Sequence, residues 1–317
     1  MKIVVLDGYT LNPGDNPWDE IAKLGEFVSH ERTAPGQILE RAQDAAILLT
    51  NKTPLSADTL AQLPWLKFIG VLATGYNVVD VKAARARGIP VANVPIYGTD
   101  AVAEYVFALL LNFCRQPQLH SDLVRQGEWN RVNEWSFWRT PLAEVAGRTI
   151  GIVGFGRIGR RVGDLAAAFK MKVLANDIFQ ANPPTYPFAW RSIPELFAEA
   201  DVVTLHCNLT PENTGMVNHE LLGRMKRTAY LINTSRGPLI RDSDLAEALH
   251  KHRIAGAALD VVTTEPLPPN NPLFKAPNLT LTPHIAWAAV EARRRLTKIT
   301  AENVAAFLAG KPINLVN

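Results

Sequence analysis

The chain has little that would tie it to a membrane, an oxidising compartment or a nucleic acid. Only two cysteines occur in 317 residues, Cys114 and Cys207, both inside apolar segments. They make no disulfide framework and suit a reducing compartment. No apolar run reaches the length of a bilayer span. The most apolar window, Ala101 to Cys114, is fourteen residues long and is interrupted by Glu104 and Asn112. The opening MKIVVLDG is too short, and too acidic at its end, for a signal peptide. Charge of one sign is scarce as well: the net charge is +3. The cluster Arg293-Arg294-Arg295 lies in a helical segment and reads as a solvated face. No metal-ligand spacing stands out. These absences lead to an expectation of a soluble, cytoplasmic protein without a nucleic-acid or membrane partner and without a metal. A composition of 47% apolar and 20% charged residues excludes a disordered or fibrous chain. The length is ample for two domains, each with its own core.

What is present is organised around Thr149 to Asp177, TIGIVGFGRIGRRVGDLAAAFKMKVLAND. The apolar run Ile150 to Val153 reads as a strand buried on both faces. Gly154, Gly156 and Gly159 follow in G-x-G-x-x-G spacing. Ile158, Val162, Leu165 and Phe169 then recur as the stripe of a helix packed on a sheet. A second strand, Lys172 to Ala175, leads to Asp177. The first glycine allows a tight turn, the second admits a pyrophosphate to the backbone, and the third lets helix and strand approach. The helix N-terminus offers N–H groups to the phosphates. Asp177 is placed to accept hydrogen bonds from the adenosine ribose, and its charge repels a 2′-phosphate. This combination predicts dinucleotide binding, with NAD as the cofactor.

Before that stretch, short apolar runs alternate with helical patterns. Ile3 to Leu6, Ala46 to Leu49, Phe68 to Leu72 and Ile89 to Val91 are expected strands. Pro17 to Leu24, Gln37 to Arg41, Ser56 to Leu63 and Val79 to Arg87 are the expected helices between them. After it come Asp201 to Leu205, Ala229 to Ile232, Ile254 to Leu259 and Leu279 to Leu281, giving a second sheet of about six strands. The pattern predicts two doubly wound parallel-sheet α/β domains. One is a Rossmann NAD-binding domain over 99–286. The other is a flavodoxin-like substrate domain, discontinuous over 1–98 and 287–317, because the last helix has no further strand to feed. Residues Gln116 to Glu144 carry Trp129, Trp135, Phe137 and Trp138 with few aliphatic neighbours, which suggests a contact with a second subunit.

Three strand ends of the second domain carry unusual polar residues: Arg236, Asp260 with Glu265, and His284. All follow parallel strands, so all leave on the edge where a bound nucleotide lies. His284, held as imidazolium by Glu265, can protonate a carbonyl oxygen as hydride reaches its carbon. Arg236 can grip a carboxylate or polarise the carbonyl through two donors. In the first domain Ala73-Thr74-Gly75-Tyr76-Asn77 follows a strand, and Gly75 lets backbone N–H groups meet a carboxylate. Trp287 is an expected wall of the substrate pocket.

The runs GIVGFGRIG, NTSRG, LDVVTTEP and TPHIAWA resemble the D-isomer-specific 2-hydroxyacid dehydrogenase family over essentially the full chain. The resemblance implies Arg236, Glu265 and His284 as the catalytic set and Asp260 as a partner of the nicotinamide carboxamide. It places Phe155, Arg157 and Ile158 along the pyrophosphate loop, with His206, Thr234 and Ser235 also at the cofactor. It implies Thr74 and Gly75 as carboxylate binders and a homodimer joined through 116–144. ATGYNVVD and PHIAWA are most similar to the glycerate dehydrogenase (hydroxypyruvate/glyoxylate reductase) branch. The function then expected is NAD(H)-dependent interconversion of a small 2-keto acid and its D-2-hydroxy acid. Asn208 departs from the family, which usually has Pro there. Glu265 argues against formate dehydrogenase, which resembles this family but carries Gln. A short phosphoglycerate dehydrogenase stays open, the chain leaving no room for a regulatory domain, as does a non-enzymatic NAD-sensing corepressor.

Overall fold

Runs of aliphatic and β-branched residues build two wholly parallel sheets. A computed structural model describes residues 1–317. It divides into one unit of Met1–Gly98 with Trp287–Asn317 and another of Thr99–Ala286.

In the first unit the strands are β1 (Lys2–Val5), β2 (Glu26–Ser29), β3 (Ile47–Thr50), β4 (Phe68–Val71) and β5 (Val91–Ala92). Their order is β2-β1-β3-β4-β5, the flavodoxin-like arrangement. Every residue of β3 and β4 is buried, because helices cover both faces. The two-residue period sorts the side chains. Ile3, Val5, Ile47, Leu49 and Phe68 fill one core, whereas Val4, Leu48, Ile69 and Val71 fill the other. The C-terminal helix Val290–Leu308 supplies Leu296 and Val304 to the first of these cores, and Phe307 stacks on Phe68 at 4.7 Å. On this helix Arg293 overturns the expectation of a solvated basic face. It is buried three residues from Leu296 on the core stripe, and Asp15 meets it with two charge-assisted bonds of 2.6 and 2.7 Å.

In the second unit the strands are β6 (Thr149–Val153), β7 (Lys172–Asn176), β8 (Phe188–Trp190), β9 (Val202–Leu205), β10 (Tyr230–Asn233), β11 (Gly256–Leu259) and β12 (Leu279–Leu281). They run β12-β11-β10-β9-β6-β7-β8, so the chain reverses direction across the sheet at β6 and β9. That reversal is the switch point at which a doubly wound fold receives a nucleotide. The sheet has seven strands, where periodicity indicated six. The additional strand, β8, and β2 in the other sheet are edge strands of three and four residues without a fully buried position. β8, Phe188-Ala189-Trp190, is apolar but too short to show a period, and β2 begins and ends on the polar Glu26 and Ser29. No helix is long and apolar enough to cross a membrane.

Candidate active site

The parallel register of the second unit does most of the assembly. Asn176, Val153, Leu205, Asn233, Leu259 and Leu281 pair with one another in a single row across six strands. The residues one step beyond that row are therefore Asp177, Gly154, His206, Thr234, Asp260 and Thr282. Five of these six are residues that the sequence marks for cofactor binding. They share one carboxyl edge because the strands share one direction.

At β6 the three glycines meet three different surroundings. Gly154 has φ +89°, and a Cβ there would lie 2.3 Å from the Cys207 nitrogen. At Gly159 a Cβ would lie 2.1 Å from the Gly154 carbonyl oxygen, so that helix and turn touch backbone to backbone. Beside Gly156 there is open space, at the N-terminus of the helix Arg157–Ala168. Two glycines close the turn and the middle one leaves room above it. This fits a bound pyrophosphate.

Asp177 accepts from the Phe155 amide (2.6 Å) and the Phe179 amide (2.9 Å). Its carboxylate thus braces the glycine turn and keeps acceptor capacity for ribose hydroxyls. Phe155 belongs to the turn through its backbone amide, while its ring is 1% exposed and stacks on Phe188 at 5.7 Å. Arg157 opens the helix and Ile158 follows it in the first turn. Arg191, the residue after β8, is paired with Glu199 at 2.8 Å.

The loop after β10 is organised by Asn233, which is fully buried. It donates to the Arg236 carbonyl (2.9 Å) and accepts from the Ser235 amide (3.0 Å). Ser235 Oγ donates to the Cys207 carbonyl at 2.6 Å, tying this loop to the end of β9. Thr234 Oγ1 is buried without a hydrogen-bond partner, an orphan at the cofactor edge that a ligand can satisfy. Arg236 is exposed, and its guanidinium is steadied by the Ser235 carbonyl at 2.7 Å. His206 Nε2 lies 2.9 Å from Thr204 Oγ1, and burial pushes the ring down to about 3, so it stays neutral. Burial likewise raises the Cys207 thiol to about 11, which leaves it protonated and unreactive.

His284 and Glu265 come together: Nδ1 and Oε2 are 2.7 Å apart, with the side chains 26% and 36% exposed. The turn that carries His284 is held by Asp260, which is 1% exposed. Its Oδ1 accepts from Thr282 Oγ1 (2.7 Å) and the Ile285 amide (2.9 Å), and its Oδ2 from the Ala286 amide (2.8 Å). The His284 amide also donates to the Asp260 carbonyl at 2.8 Å. His284 itself has φ +58°, a left-handed conformation unusual outside glycine, which these bonds maintain. Three of about four acceptor positions on Asp260 are used, leaving one for a carboxamide N–H. Tyr105, on the helix Thr99–Arg115, lies near Thr282 and Asp260, and burial raises its hydroxyl above the ordinary tyrosine value. Neither Thr282 nor Tyr105 carries a motif. Their place beside Asp260 becomes visible only in three dimensions.

In the first unit the turn after β4 is pinned through Thr74. Its hydroxyl donates to the Val94 carbonyl (2.8 Å), and its carbonyl accepts from Asn93 Nδ2 (2.7 Å). This leaves the N–H side of Thr74 and Gly75 for a ligand. Trp287 packs edge-on against Tyr97 at 6.3 Å, half-buried on that unit's core.

A family model described as D-isomer specific 2-hydroxyacid dehydrogenase, NAD binding domain, matches residues 107–286. A hydroxypyruvate reductase from Blautia hydrogenotrophica is 47% identical over 322 residues, covering 100% of both chains. A glycerate dehydrogenase from Methylorubrum extorquens is 41% identical, over 99% of this chain and 98% of that one. Among solved structures, an NADPH-dependent glyoxylate/hydroxypyruvate reductase from Sinorhizobium meliloti, in complex with NADP and malonate, aligns with a TM-score of 0.83. It is 28% identical, over 99% of this chain and 96% of that one.

Proposed function

The chain belongs to the D-isomer specific 2-hydroxyacid dehydrogenase family, and from that premise we propose that it reduces hydroxypyruvate or glyoxylate to D-glycerate or glycolate, and catalyses the reverse. The observation that carries this reading is the His284–Glu265 pair on the nucleotide-binding edge of the second sheet. Bound NADH supplies the hydride that adds to the carbonyl carbon. His284, its Nδ1 engaged by Glu265, carries the proton at Nε2 and delivers it to the carbonyl oxygen. Glu265 holds the ring at Nδ1 and so orients Nε2 toward the substrate. Arg236 presents a two-donor fork to the substrate carboxylate or carbonyl, which a lysine cannot imitate. Thr74 and Gly75 offer backbone amides to the carboxylate, and Trp287 limits the substrate's tail. The unit of Thr99–Ala286 is the proposed NAD domain and the other the substrate domain.

Asp177 favours NADH over NADPH, since a carboxylate repels a 2′-phosphate and accepts from free hydroxyls. Residues 116–144 form the proposed homodimer contact: Trp135 is 91% exposed, and the helix Pro117–Arg125 buries none of its residues. Two free cysteines fit the cytoplasm as the proposed location.

Initial rates on hydroxypyruvate, glyoxylate and 3-phosphohydroxypyruvate, each with NADH and with NADPH, test the reading. Hydroxypyruvate or glyoxylate with NADH should give the highest kcat/KM. Absence of turnover, or preference for the phosphorylated acid, overturns the substrate assignment. A preference for NADPH removes the role given to Asp177.

A further inference from the structure

A second orphan lies in the first unit, one residue beyond the last pairing of β3, Thr50 with Val71. Asn51 follows β3 and is 5% exposed. Its Nδ2 donates to the Leu72 carbonyl at 2.6 Å, two residues before Thr74. Its Oδ1 is buried and accepts nothing. Turning the amide over would set that oxygen against the Leu72 oxygen, acceptor against acceptor, so the Leu72 bond fixes the orientation. The backbone is equally fixed. Asp7 accepts from the amides of Asn51, Lys52 and Thr53 at 2.8, 2.5 and 2.7 Å, and Thr50 Oγ1 donates to the Thr53 carbonyl at 2.7 Å. A rigid turn therefore holds a desolvated acceptor next to the segment that carries the proposed carboxylate amides. A buried acceptor without a protein donor is costly, and it is satisfied by a water or by a ligand that brings a donor.

We infer that Asn51 reads the substituent on the third carbon of the keto acid, its Oδ1 accepting a hydrogen bond from a 3-hydroxyl. The inference rests on the proposed 2-keto-acid reading and makes it narrower. Hydroxypyruvate carries the donor one carbon from the carbonyl. Pyruvate has the same skeleton without it, and glyoxylate has no third carbon. A site built around a buried acceptor rejects the analogue that leaves it unpaired. Asn51 is thus a specificity-determining residue, separate from the proton and hydride chemistry.

The test compares kcat/KM for hydroxypyruvate, pyruvate and glyoxylate in the wild type, Asn51→Leu and Asn51→Ser, with NADH saturating. The wild type should prefer hydroxypyruvate over pyruvate by at least about ten-fold. Asn51→Leu, close to Asn in size, should abolish most of that preference by lowering the hydroxypyruvate value, with glyoxylate changed less than about two-fold. Asn51→Ser keeps a small acceptor and should fall between the two, which preserves the test if the leucine variant does not fold. An unchanged hydroxypyruvate-to-pyruvate ratio in the variants overturns the inference. So does an equal loss on all three substrates, which marks a structural role or a bound water. Wild-type inactivity on all three overturns the underlying reading instead, and the two failures stay distinct.

Discussion

At the scale of single residues, the candidate chemistry reduces to who holds His284 and in what state. The 2.7 Å contact with Glu265 sets a negative charge beside the imidazole on the side away from Nε2. Ketone reduction needs a proton donor aimed at the carbonyl oxygen, and the Glu265 contact at Nδ1 sets the direction of Nε2. Glu265→Gln keeps a hydrogen-bonding side chain and removes the charge. The reduction kcat should then fall by at least about ten-fold, and the NADH dissociation constant should stay within about two-fold. The measurement is kcat and kcat/KM in both directions beside a direct NADH titration. An unchanged kcat in the variant would remove Glu265 from the mechanism. His284, Glu265 and Arg236 are all readable in the sequence, because each follows an apolar strand and carries a functional group that few strand ends need. Asn51 is not. An asparagine in a turn is ordinary until its two amide atoms are seen to have unequal partners.

At the scale of elements, the turn after β12 is an anchored unit. Asp260 binds three donors on it, and His284 adopts a left-handed backbone inside that frame. Thr282→Val preserves shape while removing a donor to a buried carboxylate. The expected result is a loss of about 1–3 kcal/mol of stability and a kcat reduced roughly ten-fold, with the KM for NADH nearly unchanged. A fall in melting temperature with kcat intact would make the network structural only. Periodicity finds the central strands of both sheets but passes over β2 and β8. β8 is three apolar residues, too few to show a period, and β2 is an edge strand with polar residues at both ends. A run of three arginines looks solvated until helix phase turns Arg293 toward Asp15.

At the scale of the whole molecule, the exposed tryptophans of 116–144 need an explanation that the chain alone does not provide. Trp135 and Trp138 stand 91% and 62% exposed, whereas Trp129 Nε1 donates to the Trp135 carbonyl at 3.0 Å and so stiffens the segment. Large rigid aromatics on a braced surface are the residues that dominate interface energies. Paired Trp135→Asp and Trp138→Asp substitutions should raise a dimer dissociation constant by at least about thirty-fold, read by sedimentation across a concentration series. A wild type that sediments as a monomer would remove the dimer, and a variant that stays dimeric would place the contact elsewhere. What the sequence determined by itself was the class of fold, the nucleotide turn and the strand ends bearing charge, because hydrophobic period and glycine spacing are local consequences of packing. What only the tertiary structure decided was which polar groups meet: Glu265 with His284, Thr282 with Asp260, Arg293 with Asp15, and Asn51 Oδ1 with no protein donor. Those pairings depend on strand order and register, which bring distant segments into contact and which no local pattern encodes.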